Sequence, residues 1–276
     1  MSKVWLVTGA NGGFGRAIAE AAVATGDVVV AAARRTATLD DLVAAHPDQV
    51  QAVQLDVTDT AMVEATVADV VATHGRIDVL VNNAGRTHVG AVEETTDAEL
   101  RSLFDVHVFG PAALIRAALP HMRARRRGAI VQLSSMGGRL SFAGFSAYSA
   151  TKFALEGLSE ALADEVAPFG IRVLVVEPGS FRTSLFGGGM SQSTAIDGYT
   201  DTVGPTRQMI EDGDGKQPGD PAKAAAAILA ALAADRTPLR LPLGDDAVDA
   251  VIGALDNARV ELAAWEKTAR DTAIEE

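Results

Sequence analysis

The chain contains 276 residues, 48% of them hydrophobic, and its 24 basic and 36 acidic residues give a formal charge of −12 at pH 7. This size and hydrophobic content are typical of one large α/β domain and require no second one. The acidic balance argues against nucleic acid or an anionic membrane as the main partner, and the lack of cysteine excludes disulfides and thiolate metal sites.

Metal binding, export and membrane insertion also have little support in the sequence. The five histidines show no paired ligand spacing, so we expect no metal ion. No apolar run looks long enough to span a bilayer, and the first strand starts too early to leave room for a signal peptide. We therefore expect a cytoplasmic protein.

Short apolar segments alternate with helical patterns along the chain. The strands are predicted at 3–8, 27–33, 50–55, 77–82, 129–134, 171–177 and 238–242. Right-handed crossovers through helices connect such strands in parallel. The prediction is a single α/β domain with a doubly wound, Rossmann-type, mainly seven-stranded parallel sheet and helices on both faces. Ligands of such sheets bind outside the carboxyl ends of the strands.

A glycine-rich turn follows the first strand and precedes a helical pattern that runs from Arg16 to Ala24. Glycines let the backbone turn sharply and approach a pyrophosphate, while the amides at the helix start point at its charge. The generic dinucleotide pattern is incomplete, because Ile18 stands where its third glycine is expected. The position after the first strand nevertheless favours nucleotide binding over a plain tight turn. The candidate residues are Gly9, Asn11, Gly12, Gly13, Phe14 and Gly15.

Tyr148 and Lys152 lie four residues apart, and Ser135 lies thirteen residues before the tyrosine. Periodic apolar residues predict a helix from Ser149 onward, so the tyrosine and lysine share a face or nearly so. The ammonium can then lower the pKa of the phenol from its usual value of about 10, which makes the phenol a useful general acid. Ser135 can hydrogen-bond the same substrate oxygen. An ordinary exposed helix pair has the same spacing.

Together these motifs resemble those of the classical short-chain dehydrogenase/reductase family, over nearly the whole chain. The cofactor turn of that family is matched by Thr8, Gly9, Gly13 and Gly15, and its structural asparagine motif by Asn82-Asn83-Ala84-Gly85. Because Gly12 is also present, the turn fits the extended branch of the family as well. The length of the chain and the asparagine motif favour the classical branch.

The resemblance implies roles for further residues. Ser135, Tyr148 and Lys152 are the catalytic serine, tyrosine and lysine, and Tyr148 and Lys152 also contact the cofactor. The proline-glycine pair after the sixth strand, with a hydroxyl at the nicotinamide end, falls on Pro178, Gly179 and Thr183. Further cofactor contacts fall on Asn83, Ala84, Gly85, Asp56 and Val57.

The sequence departs from the family at His107, which stands twenty-eight residues before Ser135, where the family has the asparagine of its catalytic tetrad. In the family that asparagine holds a water that connects the lysine to bulk solvent. A histidine can also hold a water or carry a proton near neutral pH. Alternatively, His107 only fills space and bonds a backbone group in a helix bend. Both interpretations stay open.

The end of the second strand indicates which cofactor is used. An acid there would bond the ribose hydroxyls of NAD and repel a phosphate, but the chain has Arg34 and Arg35 instead. Guanidinium groups form paired, charge-assisted bonds to phosphate oxygens. We therefore predict NADP(H) as the cofactor, against the alternative of a solvated pair of loop charges.

The segment from Ser184 to Pro221 is predicted to determine substrate choice. Glycine clusters at 187–189 and 212–215 suggest flexible joints, and apolar residues there suggest a lid over an apolar substrate. A floppy surface loop is the alternative. The lid residues are Phe186, Met190, Tyr199 and Met209, and an opposite wall is proposed from Met136, Phe142 and Phe145.

The combined expectation is an NADP-dependent carbonyl reductase that acts on a small hydrophobic ketone or aldehyde, or on the secondary alcohol in reverse. The alternatives are a dinucleotide-binding regulatory protein whose catalysis has decayed and an extended-branch epimerase or dehydratase. The resemblance also implies a homodimer or homotetramer. Its interface would involve the helices that carry His107–Arg125 and Ser149–Phe169.

Overall fold

A seven-stranded parallel sheet runs through the part of the chain that the computed structural model describes, residues 2–183, 185 and 188–274. Its order is β3-β2-β1-β4-β6-β7-β9, which confirms the predicted doubly wound α/β fold in a single domain. Each of its strands ends within two residues of the predicted bounds. The strands, numbered in chain order, are β1 (Val4–Thr8), β2 (Val28–Ala33), β3 (Val50–Gln54), β4 (Val79–Asn82), β5 (Thr87–Val89), β6 (Gly128–Leu133), β7 (Ile171–Pro178), β8 (Met190–Gln192) and β9 (Arg240–Leu243).

The side chains of each strand point alternately to the two faces of the sheet, so both faces are apolar. Helices cover both of them. In β1, Trp5 and Val7 belong to one buried cluster with α1 and α8, and Val4 and Leu6 belong to another with α3, α5 and α6. The helices are α1 (Gly13–Ala24), α2 (Asp40–Ala45), α3 (Thr60–His74), α4 (Asp97–Phe104), α5 (Gly110–Arg125), α6 (Ser146–Val166), α7 (Gly204–Gly213), α8 (Pro221–Ala233) and α9 (Asp245–Arg270).

A π-helical turn, Asp105–Phe109, joins α4 to α5 without a break. The resulting stretch, 97–125, is long and apolar enough to cross a membrane by length and composition, so the expectation that no such run exists is wrong. Half of its most apolar window is buried. Leu114, Ala118 and Met122 of this stretch are inaccessible to solvent and pack in the core, as in a core helix of a globular fold.

A small second sheet, in which β5 pairs in parallel with β8, was not predicted. It holds the segment after β7 against the body of the protein, with a further helix, α7, and a small core of its own. Val203 and Ile210 pack there against Val89 and Ala91. Residues 188–221 thus contain a strand, a 3₁₀ turn and a helix, with turns between them, rather than one continuous loop. Phe186, one of the predicted lid residues, lies outside the described residues, as do Ser184 and Gly187 of the same predicted segment.

Polar contacts also tie this segment down. The buried His88 of β5 has its two ring nitrogens 2.9 and 2.8 Å from the hydroxyls of Ser191 and Ser193. Arg207 of α7 donates to the buried carboxylate of Glu94 at 2.8 Å. These contacts join α7 and β8 to the chain that leaves β4.

Candidate active site

The residues that the sequence singles out meet in two adjoining cavities at the carboxyl ends of the strands. The larger cavity has a volume of about 420 Å³, and its neighbour, at the ends of β2 and β3, about 360 Å³. The larger one is lined by Gly9, Asn11, Gly12, Gly13, Phe14, Arg34, Arg35, Asn83, Ala84, Gly85, His107, Ser135, Tyr148, Lys152, Pro178, Gly179 and Thr183. Asp56 and Val57 line the smaller one, together with Gly9, Asn11, Arg34, Ala84 and Gly85.

The glycine turn is fixed by the strand beside it. Asn83, directly after β4, donates from its side-chain nitrogen to the carbonyls of Thr8 and Gly9 at 2.9 and 3.1 Å. The Thr8 hydroxyl accepts from the backbone amides of Asn83 and Ala84, both at 3.0 Å. Gly9 has a φ of +63°, a conformation that favours glycine.

Gly15 lines neither cavity. A Cβ atom at this position would collide with the Gly9 carbonyl and the Asn83 side chain. Gly15 therefore lets the first turn of α1 approach the turn before it, and its role is one of close packing.

The start of α1 has the properties of an anion site. Its N-cap, Gly12, provides no side-chain hydrogen bond, so the first amides of the helix point to the cavity without a competing side-chain cap. Arg34 and Arg35 are exposed at the rim, and neither is in an ion pair with a carboxylate of the described residues. These groups fit a dinucleotide cofactor, with its pyrophosphate at the helix start.

The catalytic candidates lie on two neighbouring elements. Tyr148 and Lys152 are on α6, which begins two residues before the tyrosine. Ser135 lies two residues after the end of β6. Lys152 Nζ donates to the carbonyl of Leu133 at 2.8 Å and lies 5.7 Å from the centre of the Tyr148 ring. A Cβ atom at Gly137 would lie 3.3 Å from both the Ser135 hydroxyl and the Tyr148 ring, so all three groups line one small space.

Burial shifts the pKa values of both Tyr148 and Lys152. It raises the pKa of Tyr148 to about 12, against a smaller lowering by Ser135. It lowers the pKa of Lys152 to about 8, against a smaller raising by Glu156. The expected lowering of the phenol pKa by the ammonium does not appear in this structure, because burial raises the pKa of Tyr148 and only the hydrogen bond to Ser135 lowers it. At neutral pH the phenol carries its proton and most of the lysine is charged.

The sequence did not reveal two buried carboxyl groups here, Glu156 beside Lys152 and Glu177 beside Glu156. Glu156 lies one turn along α6, and Glu177 lies near the end of β7; Arg240 Nε is 3.1 Å from the first and 3.6 Å from the second. Burial raises the pKa of Glu177, and the nearby Glu156 raises it further. The spacing of Glu156 from Lys152 was the one signal in the sequence, since Glu177 and Arg240 come from distant strands.

His107 lies in the π-helical turn and has two protein partners. Its Nε2 accepts from the backbone amide of Arg86 at 3.2 Å, and its Nδ1 lies 2.8 Å from the Thr151 hydroxyl. That hydroxyl donates to the carbonyl of Tyr148 at 2.7 Å. An amide can only donate, so we assign the ring proton to Nδ1 and the donor role to Nδ1 toward Thr151.

The environment of His107 keeps its ring neutral. Only 2% of the residue is exposed, and burial, with the charges of Lys152 and Arg86, lowers its pKa well below 6.5. The ring stands edge-on to the Tyr148 ring, with the centres 5.6 Å apart. This geometry favours the interpretation in which His107 supports its neighbours rather than the one in which it relays protons.

Comparison with known proteins places this arrangement among related enzymes. The family model described as short chain dehydrogenase matches residues 3–192. An oxidoreductase of Botryotinia fuckeliana, BOA17, is 40% identical over 90% of this chain and 91% of its own length. The 3-ketodihydrosphingosine reductase of Bacteroides thetaiotaomicron is 35% identical over 88% of each chain.

Two solved structures are also similar. The crystal structure of a short-chain dehydrogenase from Streptomyces avermitilis has a TM-score of 0.93 at 64% identity and covers 99% of this chain and 98% of that one. A metagenomic short-chain oxidoreductase, solved in complex with NADP, has a TM-score of 0.62 at 37% identity, over 66% of this chain and 85% of that one.

Replacing His107 tests its role. We expect His107→Leu to lower the melting temperature, because the Arg86 amide and the Thr151 hydroxyl each lose a buried partner at a cost of about 1–3 kcal/mol. Since the folded protein resists protonation of this ring, the unfolded chain binds more protons below pH 6.5, and stability should fall as pH drops. His107→Asn should remove this part of the pH dependence.

The same variants separate the two interpretations kinetically. We expect the turnover rates of wild type and His107→Asn to vary alike between pH 6 and pH 7.5. A rate step near neutral pH that is present in the wild type and absent from His107→Asn and His107→Leu would instead support the relay.

Proposed function

The chain belongs to the short-chain dehydrogenase family, and we propose that it is an NADP(H)-dependent oxidoreductase acting on a hydrophobic ketone or aldehyde, or on the secondary alcohol in reverse. The observation that carries this proposal is the position of Ser135, Tyr148 and Lys152 on the wall of the cavity that the glycine turn also lines. When bound there, the cofactor supplies the hydride.

The residues of the chain supply the proton and hold the substrate oxygen. Tyr148, a phenol that is protonated at neutral pH and whose pKa burial raises to about 12, donates from its hydroxyl to the carbonyl oxygen in the direction of reduction. Ser135 donates a hydrogen bond to the same oxygen. The charged Lys152 stabilises the phenolate that the proton transfer leaves behind, and its bond to Leu133 fixes the position of the ammonium.

Cofactor contacts can be assigned residue by residue from the cavity lining. We propose that the amides of Gly12, Gly13 and Phe14, which line the larger cavity, bind the pyrophosphate, and that Asp56 and Val57, which line the smaller one, contact the adenine. Further contacts are proposed at Gly9, Asn11, Asn83, Ala84 and Gly85. At the nicotinamide end, Pro178, Gly179 and Thr183 are proposed to hold the ring, and Lys152 the ribose hydroxyls.

The choice of NADP over NAD is proposed from Arg34 and Arg35. No carboxylate stands at the end of β2. The exposed Arg34 lines both cavities, and the exposed Arg35 lines the larger one. A 2′-phosphate there would gain charge-assisted bonds. The metagenomic relative solved with NADP supports this assignment.

A hydrophobic substrate is proposed from apolar side chains in the wall of the larger cavity. Phe14 and Phe181 pack with their rings 5.1 Å apart and both line the larger cavity, as does Leu185. The relative named as a 3-ketodihydrosphingosine reductase supports a ketone with an apolar chain. We also propose that residues 184–221 determine substrate choice, and that the protein is cytoplasmic and assembles through α5 and α6 as a homodimer or homotetramer.

A direct assay tests the reaction class. Incubation with NADPH and a panel of hydrophobic ketones and aldehydes should give a carbonyl-dependent loss of the absorbance of reduced nicotinamide. NADPH binding without turnover of any carbonyl would point to a regulatory dinucleotide-binding protein instead. Product formation without net oxidation of the cofactor would point to an epimerase or dehydratase.

Removing one oxygen atom tests the proton donor. We expect Tyr148→Phe to abolish turnover and to leave NADPH binding nearly unchanged, measured by titration. The chain has one other tyrosine, Tyr199, whose hydroxyl bonds Glu93 at 2.6 Å. Tyr199→Phe removes the same atom elsewhere and should stay active. Turnover by Tyr148→Phe at the wild-type rate would refute the mechanism.

The pKa of Lys152 sets an upper pH limit for the reaction. As pH rises through about 8, the buried ammonium loses its proton, so kcat/KM for NADPH, which reports the free enzyme, should decline above that pH. Lys152→Arg cannot lose its charge in this range. Any residual activity of that variant should show no such decline, and a flat wild-type profile up to pH 9.5 would contradict the assignment.

Arg34 tests the cofactor preference. We expect Arg34→Gln to weaken NADPH binding much more than NADH binding, since one charge-assisted hydrogen bond contributes roughly 1.5–3 kcal/mol. Arg236→Gln, an exposed arginine that lines neither cavity, serves as the control. Calorimetric titration with both cofactors measures the difference, and equal losses for NADPH and NADH would reject the assignment.

A further inference from the structure

The second half of α9 extends beyond the body of the protein. Ala247 and Val251, in the first half of the helix, are buried, whereas every residue from Leu255 to Arg270 is exposed. Leu255, Leu262 and Trp265 are 54%, 66% and 64% exposed. Several large, exposed apolar side chains on one projecting helix indicate an interaction site.

Seven apolar residues of α9 form a continuous stripe. They recur at alternating intervals of three and four residues, which is the spacing of the contact positions in a two-stranded coiled coil. The stripe starts on the body, where Val251 is buried, and continues along the projecting half. Its members are Val248, Val251, Leu255, Ala258, Leu262, Trp265 and Ala269. We call residues 255–270 the α9 arm.

We propose that the α9 arm pairs with the α9 arm of a second copy of this chain, antiparallel and around a two-fold axis. The pairing places Leu255 against Trp265 of the partner subunit and Ala258 against Leu262 of the partner subunit. Each apolar stripe residue of the arm thereby meets another apolar residue, since Ala269 falls against Val251 of the partner subunit.

The charges beside the stripe choose the direction. Arg259 and Glu266 occupy equivalent positions, one heptad apart on the same flank. In the antiparallel register above, Arg259 and Glu266 of the partner subunit lie on the same flank, offset by about five residues along the axis. Their long side chains can bridge this offset, and the pair occurs twice by symmetry. The competing contact of Glu266 with Arg270 inside the helix, at 2.8 Å, is exposed and weak.

The ends of α9 favour the same direction. The helix starts with Asp245, Asp246 and Asp249 and ends with Lys267 and Arg270. Parallel pairing would bring like charges and like helix ends together, whereas antiparallel pairing brings the basic end of each arm toward the acidic half of the other.

A membrane surface is a weaker candidate for the same stripe. Helices that lie on anionic membranes carry lysine and arginine along the polar face. In the α9 arm, three basic residues are balanced by the acidic Asp256, Glu261 and Glu266. The whole chain carries a charge of −12. This balance favours a second copy of the chain as the occupant.

The assembly measured in solution tests the pairing. Sedimentation of the full chain at micromolar concentration should give a dimer or tetramer, and Leu262→Glu should halve its mass. Val260, 66% exposed like Leu262, lies off the stripe. Val260→Glu therefore introduces the same charge at equal exposure and should leave the mass unchanged. Both variants should keep the melting temperature of the body.

Charge exchange tests the register. Arg259→Glu alone should weaken the association, and adding Glu266→Arg should restore it. A wild-type monomer, an unchanged mass for Leu262→Glu, or equal effects of Leu262→Glu and Val260→Glu would each overturn the proposal. Binding of monomeric wild type to anionic vesicles would assign the stripe to a membrane instead and would also overturn it.

Discussion

The hydrogen bonds between Asn83 and the glycine turn are the constraint on which the site depends. They join the carboxyl ends of β1 and β4, which are neighbours in the sheet, and hold the Gly9 backbone in its left-handed conformation. Each such bond contributes only about 1 kcal/mol. Together with the close packing at Gly15, however, the two bonds hold the glycine turn in a single conformation. The shape of the anion site at α1 is therefore determined by a second strand as much as by the turn itself.

Burial has opposite effects on the two titrating groups of the site. It keeps the Tyr148 phenol protonated and makes the Lys152 ammonium easier to deprotonate. A fall of the lysine pKa from 10.5 to about 8 corresponds to a destabilisation of about 3 kcal/mol at neutral pH. The native state binds fewer protons than the unfolded chain between these values, so this cost diminishes as pH rises through that window. Reactivity at the site is thus obtained at some expense of stability.

The sequence predicted the sheet and the positions of the motifs because both depend on local patterns. The alternation of short apolar segments with helical patterns located all seven strands of the main sheet. The spacing of the motifs located the residues that line the cavities. It missed the β5–β8 sheet, whose strands have three residues each and pair across a separation of about a hundred residues. It could not give the partners of His107, since the Arg86 amide and the Thr151 hydroxyl come from distant parts of the chain. It also misjudged the phenol of Tyr148, because solvation depends on three-dimensional packing.

The π-helical turn at Asp105–Phe109 sets the rotation of α5 about the helix axis relative to α4. An α-helix advances by about 100° per residue, so one extra residue in a turn rotates everything that follows by that amount relative to what precedes it. Leu103 before the turn and Leu114 after it are both buried, and His107 between them faces the site. Deleting one residue from this turn would rotate α5 by about 100° relative to α4, and either the core contacts of α5 or the contacts of His107 would then be lost. The turn therefore constrains the number of residues between α4 and α5.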